Sequence, residues 1–207
     1  MKFIATDVLD TQQKMVEKAA IQLNTPGFAM DPYFYRSHVT YQSELEHIIF
    51  KSWLYAGHVS QVAEKGDYFL FDIGEDSIII CRDHEGEVRA MHNICRHRGA
   101  RVCEEAKGNR RAFVCPYHGW GYGTDGSLKA ARDMHVLEGF NPKDYALKQV
   151  SLVLFQGMIF INCNPDAPDF VKPLSHIKHQ LGAYDLENAK VAHAKTYRVN
   201  ANWKLCL

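Results

Sequence analysis

The 207-residue chain has no apolar run as long as the ~18 residues a membrane helix needs, so nothing in it reads as spanning a bilayer. It has no excess of charge either. Lys+Arg and Asp+Glu stand at 24 each, which excludes the broad basic field of a nucleic-acid or anionic-membrane binder. Its start carries Lys2, Asp7, Asp10, Lys14, Glu17 and Lys18 and lacks the apolar core of a secretory signal. The six cysteines, Cys81, Cys95, Cys103, Cys115, Cys163 and Cys206, show no disulfide-framework spacing. Reduced thiols and a cytoplasmic location are the expectation. No internal repeat or low-complexity tract is present. A hydrophobic fraction of 46% and a charged fraction of 23% are ordinary for a globular chain with one large or two small domains.

Residues 12–23 suit a helix with Met15, Ala19 and Leu23 on one face, stopped by Pro26-Gly27. Ser43 and Glu46 read as the capping box of a second helix, with Leu45, Ile48 and Ile49 turned inward. From Trp53 the texture becomes that of strands, at 53–58, 68–73, 77–82, 88–94, 112–115, 119–122 and 152–162. Turn residues fall at 74–76, 84–86 and 125–126. This spacing predicts a small antiparallel β domain over 50–162, preceded by a helical segment over 1–49. Pro165, Pro168 and Pro173 mark the boundary of a further region, 163–207. There Leu174, Ile177 and Leu181 form a helix face, and Val191–Trp203 reads as a strand. The chain ends at Leu207 with no sheet for that strand to join, so it is expected to be a piece of a longer protein.

The chemistry concentrates in two short runs, Cys95-Arg96-His97 and Cys115-Pro116-Tyr117-His118, which together read Cys-x-His-x17-Cys-x-x-His. Two thiolates and two imidazoles suit a [2Fe–2S] centre with both Cys on one iron and both His on the other. Two ferric ions and two sulfides leave a double positive charge, which two thiolates cancel. Such a centre accepts an electron at about −150 to +300 mV, against about −400 mV for a plant-type all-Cys centre. Structural zinc also takes two Cys and two His, although its loops usually open Cys-x2–4-Cys. Gly99 and Gly119 follow the two runs and would let backbone N–H groups approach the sulfides.

The text Cys95-Arg96-His97-Arg98-Gly99-Ala100 with Cys115-Pro116-Tyr117-His118-Gly119-Trp120 resembles the Rieske signature of ring-hydroxylating oxygenase alpha subunits. Respiratory Rieske proteins carry an extra Cys in each loop, and none stands here. Phe50-x-x-Trp53, Gly66-Asp67-Tyr68, Gly157–Asn162 and Asn202-Trp203-Lys204-Leu205 extend the likeness from about residue 30 onward. The resemblance implies a Rieske-type iron–sulfur fold with N-terminal helices and the start of an α+β helix-grip catalytic domain. It implies Cys95, His97, Cys115 and His118 as ligands of the [2Fe–2S] cluster. It further implies an NAD(P)H-dependent reductase or ferredoxin as electron donor, a mononuclear Fe(II) site beyond Leu207, a homotrimer, and O2-dependent hydroxylation or N-demethylation of a small molecule. The tail, Asn202 to Leu207, is most similar to alpha subunits that act on quaternary amines such as betaines. An aromatic-ring dioxygenase subunit and a stand-alone Rieske electron carrier are the alternatives. No mononuclear-iron ligand set is legible here. His176-x-x-His179 lacks the required spacing and reads as a polar helix pair.

Around the ligand runs, Trp120 is expected to shield the centre or to pack as ordinary core, and Tyr117 to cover its loop or fill the core. Arg96 and Arg98 either steady the loop, dock a carboxylate, or serve as surface charge. His92 reads as a strand residue. Cys103, Cys81, Cys163 and Cys206 read as buried thiols, and Asp125-Gly126 as a hairpin turn.

Overall fold

The computed structural model describes residues 10–206, apart from the side chains of His135 and His176. The charges at Lys2 and Asp7 lie outside the described residues. The chain divides into two compact units, one of residues 1–51 with 193–207 and one of residues 52–192.

Among its described residues the first unit holds three α-helices: α1 (Gln12–Leu23), α2 (Tyr33–Arg36) and α3 (His38–His47). Thr11 caps α1 by accepting from the Lys14 N–H. The cap of α3 is Ser37, whose hydroxyl accepts from Thr40 N at 2.9 Å, so Ser43 lies inside the helix and caps nothing. Asp10 explains the earlier start. Its carboxylate accepts from Tyr33 Oη, Ser37 Oγ and the His38 N–H at 2.6–2.8 Å, which satisfies a free donor at the head of α3. Leu45 is buried as expected, while Ile48 is exposed. Within the same unit, Glu44 accepts from the Trp203 indole N–H at 2.9 Å and from Lys204 Nζ at 2.6 Å. No strand forms over 191–203. The segment is irregular and exposed over residues 191–201, and a short 3-10 turn, Trp203–Leu205, closes it.

In the second unit every strand pairing is antiparallel. Its strands are β1 (Leu54–His58), β2 (Asp67–Ile73), β3 (Asp76–Arg82), β4 (Val88–His92), β5 (Lys107–Asn109), β6 (Ala112–Val114), β7 (Gly121–Gly123), β8 (Leu128–Ala130), β9 (Ser151–Phe155) and β10 (Met158–Asn162). They form three sheets, ordered β1-β10-β9, β4-β3-β2-β5 and β6-β7-β8. The long apolar run at 152–162 is a hairpin rather than one strand, because Gln156-Gly157 turns with both φ angles positive. Strand β5, Lys107-Gly108-Asn109, carries no apolar alternation and owes its form to its pairing with β2. A helix, α4 (Val171–Gly182), follows, and Leu174, Ile177 and Leu181 are its half-buried residues. The side chain of His176 is not described, and His179 is exposed.

The main core joins Tyr68, Ile79, Cys81, Met91, Phe113, Trp120, Tyr122 and Leu147. Cys95 and Cys115 belong to the same cluster, so the two ligand runs sit directly on the core of this unit.

Candidate metal centre

The first run leaves the end of β4, and the second links β6 to β7. Both fold into the same local shape. Cys95 N donates to Ala100 O at 2.8 Å and accepts Gly99 N on its carbonyl at 2.9 Å. Cys115 N donates to Trp120 O at 2.8 Å and accepts Gly119 N on its carbonyl at 3.0 Å. Each loop turns back through a glycine in the left-handed region, Gly99 at φ +76° and Gly119 at φ +72°, which a side chain would strain. Their N–H groups are already bonded inside the loops and are not free to reach a sulfide. The backbone amides of Tyr117 and His118 act on the Cys115 sulfur and favour its thiolate.

Cys95 and Cys115 are 3% and 2% exposed. Burial pushes the Cys115 thiol up, and the neighbouring Cys95 adds to this. The imidazoles of His97 and His118 meet edge to face, with ring centroids 4.6 Å apart. The His97 ring lies flat on Trp120, at 4.9 Å and 7°, and Trp120 is backed by Phe140 and Tyr145. Trp120 is itself 2% exposed, so it covers the inner imidazole and belongs to the core as well. Burial, then His118 and Arg98, lower the His97 pKa and favour the neutral ring that binds metal. His118 is exposed. Tyr117 does not fill the core: it is 60% exposed, with its ring 3.9 Å from that of His118.

Tyr122, on β7, is a participant the sequence did not announce. Its ring is fully buried, and its hydroxyl accepts from Arg96 N at 3.0 Å and lies 3.3 Å from Cys95 Sγ. A phenol has one proton, so with Cys95 as thiolate the hydroxyl donates to sulfur. Burial and the contact with Cys95 push the phenol well above its usual range and keep it protonated. Read in sequence, Tyr122 is one more aromatic in a short strand.

These features fit a two-iron centre. His97 Nδ1 is buried with no hydrogen-bond partner, which is costly unless a further group meets it. A Cβ placed on Gly99 or Gly119 would meet nothing within 4 Å, so there is open space beside both loops. Among the described residues no three His, Cys, Asp or Glu side chains are placed to hold a single metal ion. A two-iron cluster asks instead for one pair of side chains on each iron.

Residues 52–141 match the model of the Rieske [2Fe-2S] domain. The glycine betaine monooxygenase oxygenase subunit of Pseudomonas aeruginosa is 37% identical over 181 residues, covering 87% of this chain and 42% of that protein. The chain belongs to the Rieske oxygenase family. The biphenyl 2,3-dioxygenase alpha subunit of Rhodococcus jostii is 34% identical, covering 84% of this chain and 39% of its own length. Among solved structures, the quaternary ammonium Rieske monooxygenase CntA in complex with gamma-butyrobetaine superposes with a TM-score of 0.78 at 29% identity, covering 84% of this chain and 51% of that one. The chain thus spans about two fifths of the length of the curated relatives it matches.

The remaining cysteines are free thiols. Cys81 and Cys103 are buried, and burial pushes Cys81 up to about 12. Cys163 is only half-buried and Cys206 is exposed, which corrects the expectation of core thiols at both positions. No helix among the described residues is long and apolar enough to cross a membrane.

Proposed function

We propose that Cys95 and Cys115 ligate one iron of a Rieske [2Fe–2S] cluster and His97 and His118 the other. The observation that carries this is the pair of matching loops, which seat two buried cysteines on the core and set two imidazoles edge to face beside Trp120. A bound Rieske cluster takes up and passes on one electron, at about −150 to +300 mV. The chain's own residues set the surroundings of that event. Trp120 keeps water from the His97 side, Tyr122 donates to the Cys95 sulfur, and the Tyr117 and His118 amides act on that of Cys115 and favour its thiolate. Exposed His118 and Tyr117 form the edge at which a redox partner can come close.

The whole protein is then an oxygenase alpha subunit. An NAD(P)H-dependent reductase or ferredoxin supplies its electrons, a mononuclear Fe(II) site in the rest of the protein consumes them with O2, and the subunits assemble as a homotrimer. Its substrates are quaternary amines of the betaine kind, cleaved by N-demethylation. Supporting this is the naming of relatives at 37% and 32% identity as glycine betaine monooxygenase subunits. The biphenyl dioxygenase relative at 34% favours the second reading, an aromatic-ring dioxygenase.

Purified protein should be red-brown, bleach partly with dithionite, and then give the EPR signal of a reduced Rieske centre. A colourless protein holding one zinc per chain overturns the cluster. With its reductase, the full-length protein should release formaldehyde from glycine betaine. Turnover of biphenyl to a cis-diol with no formaldehyde from betaines decides for the second reading.

A further inference from the structure

The two loops close differently. The second is the connection of a hairpin, and Val114 pairs with Gly121 across its base. The first has no such base. It starts from β4 at one edge of the four-stranded sheet and runs on to β5 at the other edge, past β3 and β2. No strand pair can join its two limbs.

One side chain bridges them instead. Asn93 is fully buried and lies two residues before Cys95. Its Oδ1 accepts from Val102 N at 3.0 Å and from Cys103 N at 2.8 Å. Its Nδ2 donates to Cys103 O at 2.7 Å and to Ser77 Oγ at 3.3 Å. Both acceptor sites and both donors of the carboxamide are therefore used. The Asn93 backbone N–H donates to Ser77 O at 2.8 Å, which ties the same residue to β3. A carboxamide has the donor and acceptor of a peptide unit, so Asn93 makes across this loop the bonds a paired strand would make.

We infer that Asn93 is the positioning residue of the first loop, closing it between residues 93 and 103 and so fixing where Cys95 and His97 stand. This rests on the reading that those two residues hold the cluster. Cys95 and His97 lie within the closed segment, which Tyr122 also reaches, at Cys95 and Arg96, and Trp120, at His97. Losing the staple frees one half of the ligand set and leaves the hairpin half in place.

The test uses the full chain with its cluster and compares Asn93→Ala and Asn93→Asp with Asp83→Ala. Asp83 is buried in the turn at the opposite end of the β3–β4 hairpin and serves as the control for simple loss of stability. Asn93→Ala should lose its visible absorbance to a chelator at least about tenfold faster than wild type, with broadened g-features in the reduced EPR spectrum. Asn93→Asp keeps the acceptor and loses the donor, and should fall between. Asp83→Ala should unfold at a lower temperature and keep the wild-type EPR line shape. Wild-type line shape and bleaching rate in both Asn93 variants overturn the inference, as do changes no larger than those of Asp83→Ala. Should Asn93→Ala not fold, amide exchange in wild type decides. Val102 and Cys103 should be protected like Ile79 of β3, and exchange as fast as that of exposed Arg98 counts against the staple. A wild-type protein with no Rieske signal refutes the ligand assignment, and the exchange arm still judges the staple.

Discussion

Tyr122 shows how one atom can set a redox property. Its hydroxyl is held by the Arg96 amide, so its proton is aimed at Cys95 Sγ whatever the charge on the cluster. That bond strengthens as the sulfur gains negative charge, and it therefore favours the reduced state. Tyr122→Phe removes it with almost no change in volume. If the bond is about 1 kcal/mol stronger toward the reduced centre, its loss lowers the potential by roughly 40 mV. Spectroelectrochemical titration of the variant reads this directly, and an unchanged potential would mean that the hydroxyl does not donate to sulfur. The four proposed ligands were legible in the sequence because ligand chemistry is local: Cys-x-His and Cys-x-x-His carry it in adjacent residues. Tyr122 and Asn93 were not, because each acts across a gap that only the fold closes. Tyr122 crosses 26 positions to reach Arg96, and Asn93 crosses 10 to reach Cys103. Cys163 and Cys206 erred the other way, since residue type suggested burial that the surroundings do not provide.

At the scale of the element, the β3–β4 hairpin makes the same point about carboxylates. Asp83 has no exposed surface, yet it accepts from the Glu85 and Glu87 amides and from Arg89 Nε at 2.7–3.0 Å. Burial alone would raise its pKa, but the Arg89 and Glu87 bonds outweigh this and hold it below the ordinary value. A carboxyl depressed in the folded state stabilises the fold fully above its unfolded pKa and loses that contribution as pH falls through the folded one. The hairpin should therefore be at full strength at neutral pH and weaken below about pH 4. Asp83→Asn should lower the stability of the protein at pH 7 by about 1–3 kcal/mol and flatten the acid limb, as measured by urea unfolding at pH 3.5 and 7. An acid limb as steep as that of wild type would rule Asp83 out as its source. The long strands of this region could be read from their β-branched and aromatic runs between glycine turns. The segment β5 could not, since Lys107-Gly108-Asn109 has no buried face to announce it, and β8 has only three residues in which to show a period. Val191–Trp203 has the composition of a strand without a neighbour to pair with, and composition alone does not make one.

For the molecule as a whole, apolar burial is divided unevenly between the two units. The largest fully buried side chains, Trp120, Tyr68, Tyr122, Phe113, Ile78, Ile79, Ile80, Met91, Leu147, Ile159, Ile161 and Val62, all lie within residues 52–192. So do the ten strands of the described residues and both ligand loops, in a unit of about 140 residues, a common size for an autonomous domain. By contrast α1 buries none of its residues, and Val16, Ile21 and Leu23 are exposed. A core of that kind supports its own folding, because the entropy of ordering the chain is opposed by apolar burial made within the same unit. Residues 52–192 expressed alone should unfold in one cooperative transition and assemble the cluster with the EPR spectrum of the longer chain. The potential should be unchanged as well, since Tyr122, Trp120 and Asn93 all travel with the loops. Iron analysis, EPR and a thermal melt of the shortened protein check this together. A soluble, folded 52–192 that binds no iron would mean that the ligand loops need support from outside their own core.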